Sequence, residues 1–584
     1  MTRYFFRRIK SIFQKSPQVG RRYGDINPED IFLDSTNLPG FEETKLEGRL
    51  EKPVSQVTFL MVRIILLSVI VALIGRLWEL GVRDGEIYAQ VSENNRLEQS
   101  IIFANRGAIL DRNGVELAGN AIKSESSIED SRHQFAERVY APIKGLAHLV
   151  GYIKYPMKDK DGVYYRENYV AKDGAERSYD ERLRGKNGLK LRETTVDGEI
   201  TSESVIEKPE DGESLYLSVD SRINEELHNA IIERVKGSNF TGGAGVIMDV
   251  TTGEIIAMTS YPEYDQNAIT LGLDQAEFEK ILRDPQKPFL NRVVAGLYTP
   301  GSIIKPIIAI GALRENLISP NKEIYSSGSI TVPNPYDSSK PSVFGDWKAH
   351  GWTNMAEAIA VSSDTYFYAI GGGFGTQKGL GISLIDYYLN LFGLTEKTGI
   401  ELSGELTGVI PTPEWKKSKF NGDIWRLGDT YITSIGQFGT QITPINAVRF
   451  TSAFANGGKL LKPSIIKGGA SDPVNNEIDF DKKEWLEVNK GFLDGVKYGT
   501  SVALNVPYVS SGAKTGTAEI GARKAFVHSW TIGFFPFEKP RYAWAVVMEK
   551  GPASNTIGAT SIMRRLFDWM SINTPEYFNE NISN

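Results

Sequence analysis

"TPGSIIKP", residues 299–306, sets a serine and a lysine three positions apart, between a Pro-Gly turn and an apolar run. Pro300-Gly301 closes an extended stretch, and "SIIKPIIAIGALREN" continues as a helix offset by Pro306. Residues three apart share a helix face, so this helix puts the Ser302 hydroxyl beside the Lys305 amine. Ser302 then stands at a helix N-terminus, where unpaired N–H groups and the dipole favour negative charge. A serine hydroxyl is a weak nucleophile, and a neutral amine one turn on can take its proton. Lys305 must then lose its charge near neutral pH, by burial or by a second cation nearby. Taken alone, the pair reads as a capped helix with a surface lysine. The same spacing recurs at Ser319/Lys322, Ser464/Lys467 and Ser511/Lys514. Context has to decide.

Two further stretches supply it. "SSGAKTGTAEIG" (510–521) carries Lys514, Thr515, Gly516 and Thr517 ahead of a terminal hairpin, where it reads as an edge strand. Lys514 is the candidate second cation. Alternating threonines can bind a carboxylate, Gly516 permits close approach of a substrate, and the Thr517 N–H can share an oxyanion hole with that of Ser302. "AVSSDTYFY" (360–368) sets Ser362 and Asp364 at the tip of an apolar helix, where Ser362 can shuttle a proton between the lysines and an amine. None of the three decoy serines has a second motif at its side.

Ser302-x-x-Lys305, Ser362-x-Asp364 and Lys514-Thr515-Gly516, in that order, resemble the motif set of penicillin-binding proteins. The flanks "NRVVAGLYTPGSIIKP", "IGQFGTQITPINAVRF", "AKTGTAE" and "HSWTIGFFP" are similar to that family's transpeptidase domain. Upstream, "NRGAILDRNGVELA", "HLVGYI" and "DERLRGKNGLKLRE" resemble the non-catalytic pedestal of class B members, and the likeness covers roughly residues 57–575. Within class B it looks most like the elongation-type subfamily, penicillin-binding protein 2, partly because Asp364 stands where most relatives carry Asn.

The resemblance implies a bitopic serine-type D-Ala-D-Ala transpeptidase/carboxypeptidase that cross-links peptidoglycan stem peptides, with β-lactams as inhibitors. It implies Ser302 as nucleophile, Lys305 as general base, Ser362 as proton relay, Asp364 in the Asn position and Lys514 as a source of field. Thr515, Gly516 and Thr517 would bind the donor, and the oxyanion hole would be the N–H groups of Ser302 and Thr517. As a carboxylate Asp364 cannot donate a hydrogen bond, so pairing with a lysine is its alternative role. No cofactor is implied. The partners implied are a SEDS-type glycosyltransferase and other elongation proteins. A division-type class B enzyme, a β-lactamase or carboxypeptidase, and a scaffold that chiefly activates a glycosyltransferase are the competing functions.

Asp337, Asp346 and His350 make a loose acid/His group in a loop-rich stretch, a weak metal candidate without a fourth ligand. His528 reads as a structural residue. The chain has 584 residues, a net charge of −6 and no cysteine. The charge gives no case for nucleic-acid binding, and the missing thiols exclude disulfides, thiolate catalysis and Cys-ligated metals.

Arg3, Arg7, Arg8, Lys10, Lys15, Arg21 and Arg22 precede the first acid, and "VTFLMVRIILLSVIVALIGRLWEL" (57–80) follows. About 20 apolar residues span a bilayer, and Arg63 and Arg76 lie near enough to the ends to snorkel. Basic residues before the span and acids after it place the N-terminus in the cytoplasm. The protein is therefore expected in the bacterial inner membrane, with its catalytic part periplasmic. "YFFRRIKSIF" (4–13) reads either as a basic amphipathic surface helix or as a disordered tail.

Residues 96–120 read as short strands around Asn113-Gly114, and 121–212 as an extended β-containing spacer with little helical periodicity. "AGVIMDVTTGEIIAMTSYP" (244–262) and "HSWTIGFFPFEKPRYAWAVVME" (528–549) are hairpins, with helices expected at 303–315, 354–370 and 443–456. Sheet at both ends with helices between argues an α+β domain. The expected division is 1–56 cytoplasmic basic tail, 57–80 transmembrane helix, 81–212 β-rich pedestal, 213–575 transpeptidase domain with an antiparallel sheet flanked by helices, and 576–584 tail.

Overall fold

The structure, a computed structural model, describes residues 55–88, 97–121, 135–160, 164–194, 200–334, 337, 339–469, 477–521 and 523–578. The segment 4–13 lies outside them. Residues 1–95 and 96–584 are separate units.

The first unit contains helix α1, Gln56–Trp78, which runs into a π-helical turn at Glu79–Arg83. Ser55 caps it by accepting from the Val57 N–H at 3.2 Å. None of its residues is buried. A helix this long and apolar, with its side chains uncovered, is able to cross a membrane.

The second unit is α+β. Its centre is a five-stranded antiparallel sheet of β1 (Gly242–Asp249), β2 (Ile255–Tyr261), β3 (Gly512–Ile520), β4 (Phe526–Phe535) and β5 (Tyr542–Pro552), in the order β2-β1-β5-β4-β3. Segments about 300 positions apart thus meet where β1 pairs β5, with Val246 opposite Ala545. Both hairpins expected from the turn residues form, and β3 is the edge strand.

Both faces of the sheet are covered, and the period-2 alternation sorts the side chains. Ala244, Val246, Ala545 and Val547 join one core with the helices between the hairpins. Ile247, Trp544, Val546 and Met548 join the other, with α2 (Ser221–Ser238) and the C-terminal helix Thr560–Asn573.

The segment that carries Ser302 opens as a 3-10 turn, Gly301–Ile304, and continues as α3, Lys305–Arg314. Pro306 sits in the first turn, where its missing N–H has no intrahelical partner to lose. Residues Lys305 to Ala312 are all buried, as expected of a helix apolar on every side. The single helix expected over 354–370 is two: α4 (Met355–Ala360) and α5 (Asp364–Gly372). The break is a Schellman turn: Ser363 N–H donates to Ala358 O at 3.0 Å and Ser362 N–H to Ile359 O at 3.2 Å. Ser362 takes the left-handed position there, φ 59°.

The pedestal region carries a three-stranded sheet built from 97–102, 188–194 and 200–207, and a four-stranded one ending in 215–216. Short helices at Ala147–Val150, Gly174–Ser178 and Asp180–Leu183 interrupt it, each too short to show periodicity in the sequence. Its core is ionic as well as apolar. Glu176 is fully buried and pairs with Arg106 at 2.5 Å and Arg138 at 2.8 Å.

Candidate active site

A cleft of about 690 Å³ opens between the start of α3, the α4–α5 turn and strand β3. Ser302, Ser362, Asp364, Thr515, Gly516 and Thr517 line it. The Ser302 turn and β3 approach so closely that glycine is required on both sides. A Cβ on Gly516 would lie 2.7 Å from Pro300 O, and one on Gly301, whose φ is 58°, 2.9 Å from Thr517 O. Gly301 N–H donates to Gly436 O at 3.0 Å, and the Trp530 indole donates to Thr299 O at 3.0 Å. These bonds fix the turn that presents Ser302. Ser302 Oγ itself makes no hydrogen bond among the described residues.

Beneath it lie the two lysines, both buried. Lys514 Nζ donates to Ser362 Oγ at 2.8 Å and to Thr515 O at 2.7 Å. Lys305 Nζ donates to Ser362 O at 2.8 Å and reaches Ser362 Oγ at 3.4 Å. Its ion-pair partner is Asp364 Oδ1, at 2.7 Å. The carboxylate in the usual Asn position therefore does pair with a lysine.

The second cation is present beside Lys305. Burial and the neighbouring Lys305 charge push the Lys514 amine well below the ordinary lysine value, against the pull of Asp364. Lys305 faces an opposite charge, while Lys514 faces a hydroxyl and a carbonyl.

Sequence reasoning passed over several residues of this cleft. Thr500 Oγ1 accepts from Thr515 Oγ1 at 2.6 Å, extending the row of hydroxyls. Gln437 and Trp347 also line the walls. Gln437 lay inside the quoted stretch "IGQFGTQITPINAVRF", but nothing local assigns it to a cleft.

The three loop residues weighed as metal ligands do not converge. His350 Nε2 lies 3.3 Å from Asp346 Oδ1, while Asp337 pairs with Lys340 at 3.2 Å. Among the described residues no group of three or more His, Cys, Asp or Glu could hold a metal ion. Asp346 instead accepts hydrogen bonds from the α5 start, which occupies its lone pairs.

Residues 243–568 match the penicillin binding protein transpeptidase domain. The chain belongs to the penicillin-binding proteins. A second match, to the penicillin-binding protein dimerisation domain, covers residues 133–217, so this penicillin-binding protein joins a pedestal module to its transpeptidase domain. It is 31% identical over 457 residues to the peptidoglycan D,D-transpeptidase MrdA of Acinetobacter baumannii, a match spanning 72% of this chain and 64% of that protein. The Escherichia coli K12 protein of the same name is 27% identical, with 74% and 71% covered.

Solved structures agree. The Pseudomonas aeruginosa PBP2 complex with WCK 5153 superposes with a TM-score of 0.67 at 28% identity, covering 83% of this chain and all of that one. The Helicobacter pylori PBP2–MreC complex gives 0.66 at 26%, covering 81% and 99%. The α+β fold and the class B, penicillin-binding protein 2 type of this penicillin-binding protein follow, and its apolar helix α1 marks it as membrane-anchored.

Proposed function

We propose that this protein is a peptidoglycan D,D-transpeptidase of cell-wall elongation, working through a Ser302 acyl-enzyme. The observation that carries the reading is the hydroxyl of Ser362 set between two buried amines on the floor of the Ser302 cleft. Ser302 Oγ attacks the penultimate D-Ala carbonyl of a donor stem peptide, forming the O–C bond. Lys305 first passes a proton through Ser362 Oγ to the neutral amine of Lys514, and the freed Lys305 amine then takes the Ser302 proton. Lys305 so ends with the charge it began with, still paired to Asp364, and Lys514 becomes the ammonium. The oxyanion is held by the N–H groups of Ser302 and Thr517.

Collapse breaks the C–N bond, and the departing D-Ala nitrogen takes the proton back along the same path. An acceptor amine then attacks the ester, loses its proton to the relay and frees Ser302. Thr515 and Thr517 hold the donor's terminal carboxylate beside the Lys514 charge, with Thr500 orienting Thr515. A β-lactam enters as donor and stays on Ser302.

Residues 81–212 serve as the non-catalytic pedestal and 213–575 as the catalytic domain, with the N-terminus in the cytoplasm and the cleft on the far side of the inner membrane. The basic residues before α1 support that orientation. Likeness to PBP2 bound to MreC, and at a TM-score of 0.66 to a peptidoglycan synthase complex, supports elongation proteins and a SEDS-type glycosyltransferase as partners. The test is D-Ala release and cross-linked dimer formation from purified stem-peptide polymer. The parent yields both, and S302A yields neither; products from S302A would refute the assignment.

A further inference from the structure

The strained turn that carries Ser362 is gripped from outside by one carboxylate. The Asp346 side chain has no solvent exposure. Its Oδ2 accepts from Ser363 Oγ at 2.9 Å, Thr365 N–H at 2.9 Å and Ser326 Oγ at 3.2 Å. Its Oδ1 accepts from Trp347 N–H at 2.9 Å and faces His350 Nε2 at 3.3 Å. The loop is tied in turn to the neighbouring strand region, Asp346 N–H donating to Gly328 O at 2.8 Å. The next side chain completes the grip, since the Trp347 indole N–H donates to Val361 O at 3.2 Å.

Positions 361, 363 and 365 are thus all held by residues 346 and 347, and Ser362, between the first two, has φ 59°. A left-handed serine costs about 1–2 kcal/mol, and such a conformation persists only where its surroundings over-determine it. The turn needs an anchor, and Asp346 is placed to be it.

We propose that Asp346 is a positioning residue for the proton relay: it fixes the Ser362 turn so that the hydroxyl bridges Lys305 and Lys514. It touches neither substrate nor reacting atoms. Four donors on one buried carboxyl group require the ionised form, which accepts only. Burial pushes this carboxyl up, but the N–H groups of Thr365 and Asp364 and the Ser363 hydroxyl outweigh it and hold it below its ordinary value. An amide there turns one acceptor into a donor aimed at donors, and the turn relaxes. The proposal rests on the relay described above.

The experiment is acylation of the full-length protein by a fluorescent penicillin, resolved into the binding constant Ks and the chemical rate k2. For D346N, k2 falls about tenfold to a hundredfold while Ks stays within about twofold, because misplacing a catalytic group costs rate rather than affinity. A merely structural role would lower Tm and weaken both constants together, and would overturn the proposal, as would a k2 equal to the parent's. D337N, which alters an exposed carboxylate of the same segment, leaves both constants unchanged; a fall in k2 there as large as that in D346N would overturn the proposal.

Should D346N not fold, Ser326→Ala removes one donor from Asp346. It lowers k2 about three- to tenfold, the worth of one hydrogen bond, with Ks held; an unchanged k2 contradicts the proposal. If the parent itself takes no label, the transpeptidase reading fails and the relay with it. If the parent labels and D346N labels as fast, only the role of Asp346 fails.

Discussion

Lys514 Nζ and Ser362 Oγ stand 2.8 Å apart although 152 positions separate them in the chain. The amine comes from an edge strand and the hydroxyl from a strained turn, and neither is in place without the other's element. Much of the chemistry follows from that meeting.

Ser362 holds a left-handed conformation that a glycine would adopt freely. Ser362→Gly is therefore more stable than Ser362→Ala by about 1 kcal/mol, and both acylate at least about a hundredfold more slowly than the parent. Thermal denaturation and penicillin labelling of the pair check this. An alanine variant as stable as the glycine one would remove the strain from the account.

The lowered Lys514 amine sets the pH dependence. The proposed relay needs it neutral, so acylation is expected to be slow at low pH and to rise to a plateau as pH passes through its folded value. The sign for stability runs the same way. The unfolded lysine, at its ordinary 10.5, binds the proton more tightly, so this group's contribution to stability grows as pH climbs from the folded value towards 10.5. Because Asp364 pulls the Lys514 value upward, Asp364→Asn moves the acylation limb to lower pH. A limb moved upward would contradict the arrangement of charges.

Gly516 leaves no room for a side chain between β3 and the Ser302 turn. Gly516→Ala forces its Cβ against Pro300 O and Ile303 Cγ2, at 2.7 and 2.9 Å, so strand and turn must separate. We expect at least about a tenfold fall in k2 with the sheet otherwise intact by circular dichroism.

Helix α1 should hold the full chain in the membrane through an alkaline carbonate wash, since its apolar side chains are uncovered. Extraction into the aqueous fraction by that wash would contradict an integral anchor.

Much of this was legible in the sequence because it is local. The hairpins around Thr251-Thr252-Gly253 and Glu538-Lys539-Pro540 announce themselves by turn residues between apolar runs. The start of α3 follows from Pro300-Gly301 and the spacing of Ser302 and Lys305. What stayed hidden depends on distant neighbours. The break at Ser362 falls where no glycine or proline marks it, and it is held by a loop some 16 residues upstream. Asp346 read as a metal candidate because its residue type suits one, while its hydrogen bonds exist only in the folded chain. The low Lys514 value arises from burial and from Lys305, two hundred positions away, and composition carries no trace of either.

The claim on which the rest depends is that Ser302 is the nucleophile. Incubating the full-length protein with benzylpenicillin, measuring its intact mass and then mapping the adduct tests it most directly. The expected result is a single stable adduct of one benzylpenicillin on the peptide that contains Ser302, absent from S302A. An adduct on another residue, or none on the folded chain, would contradict it.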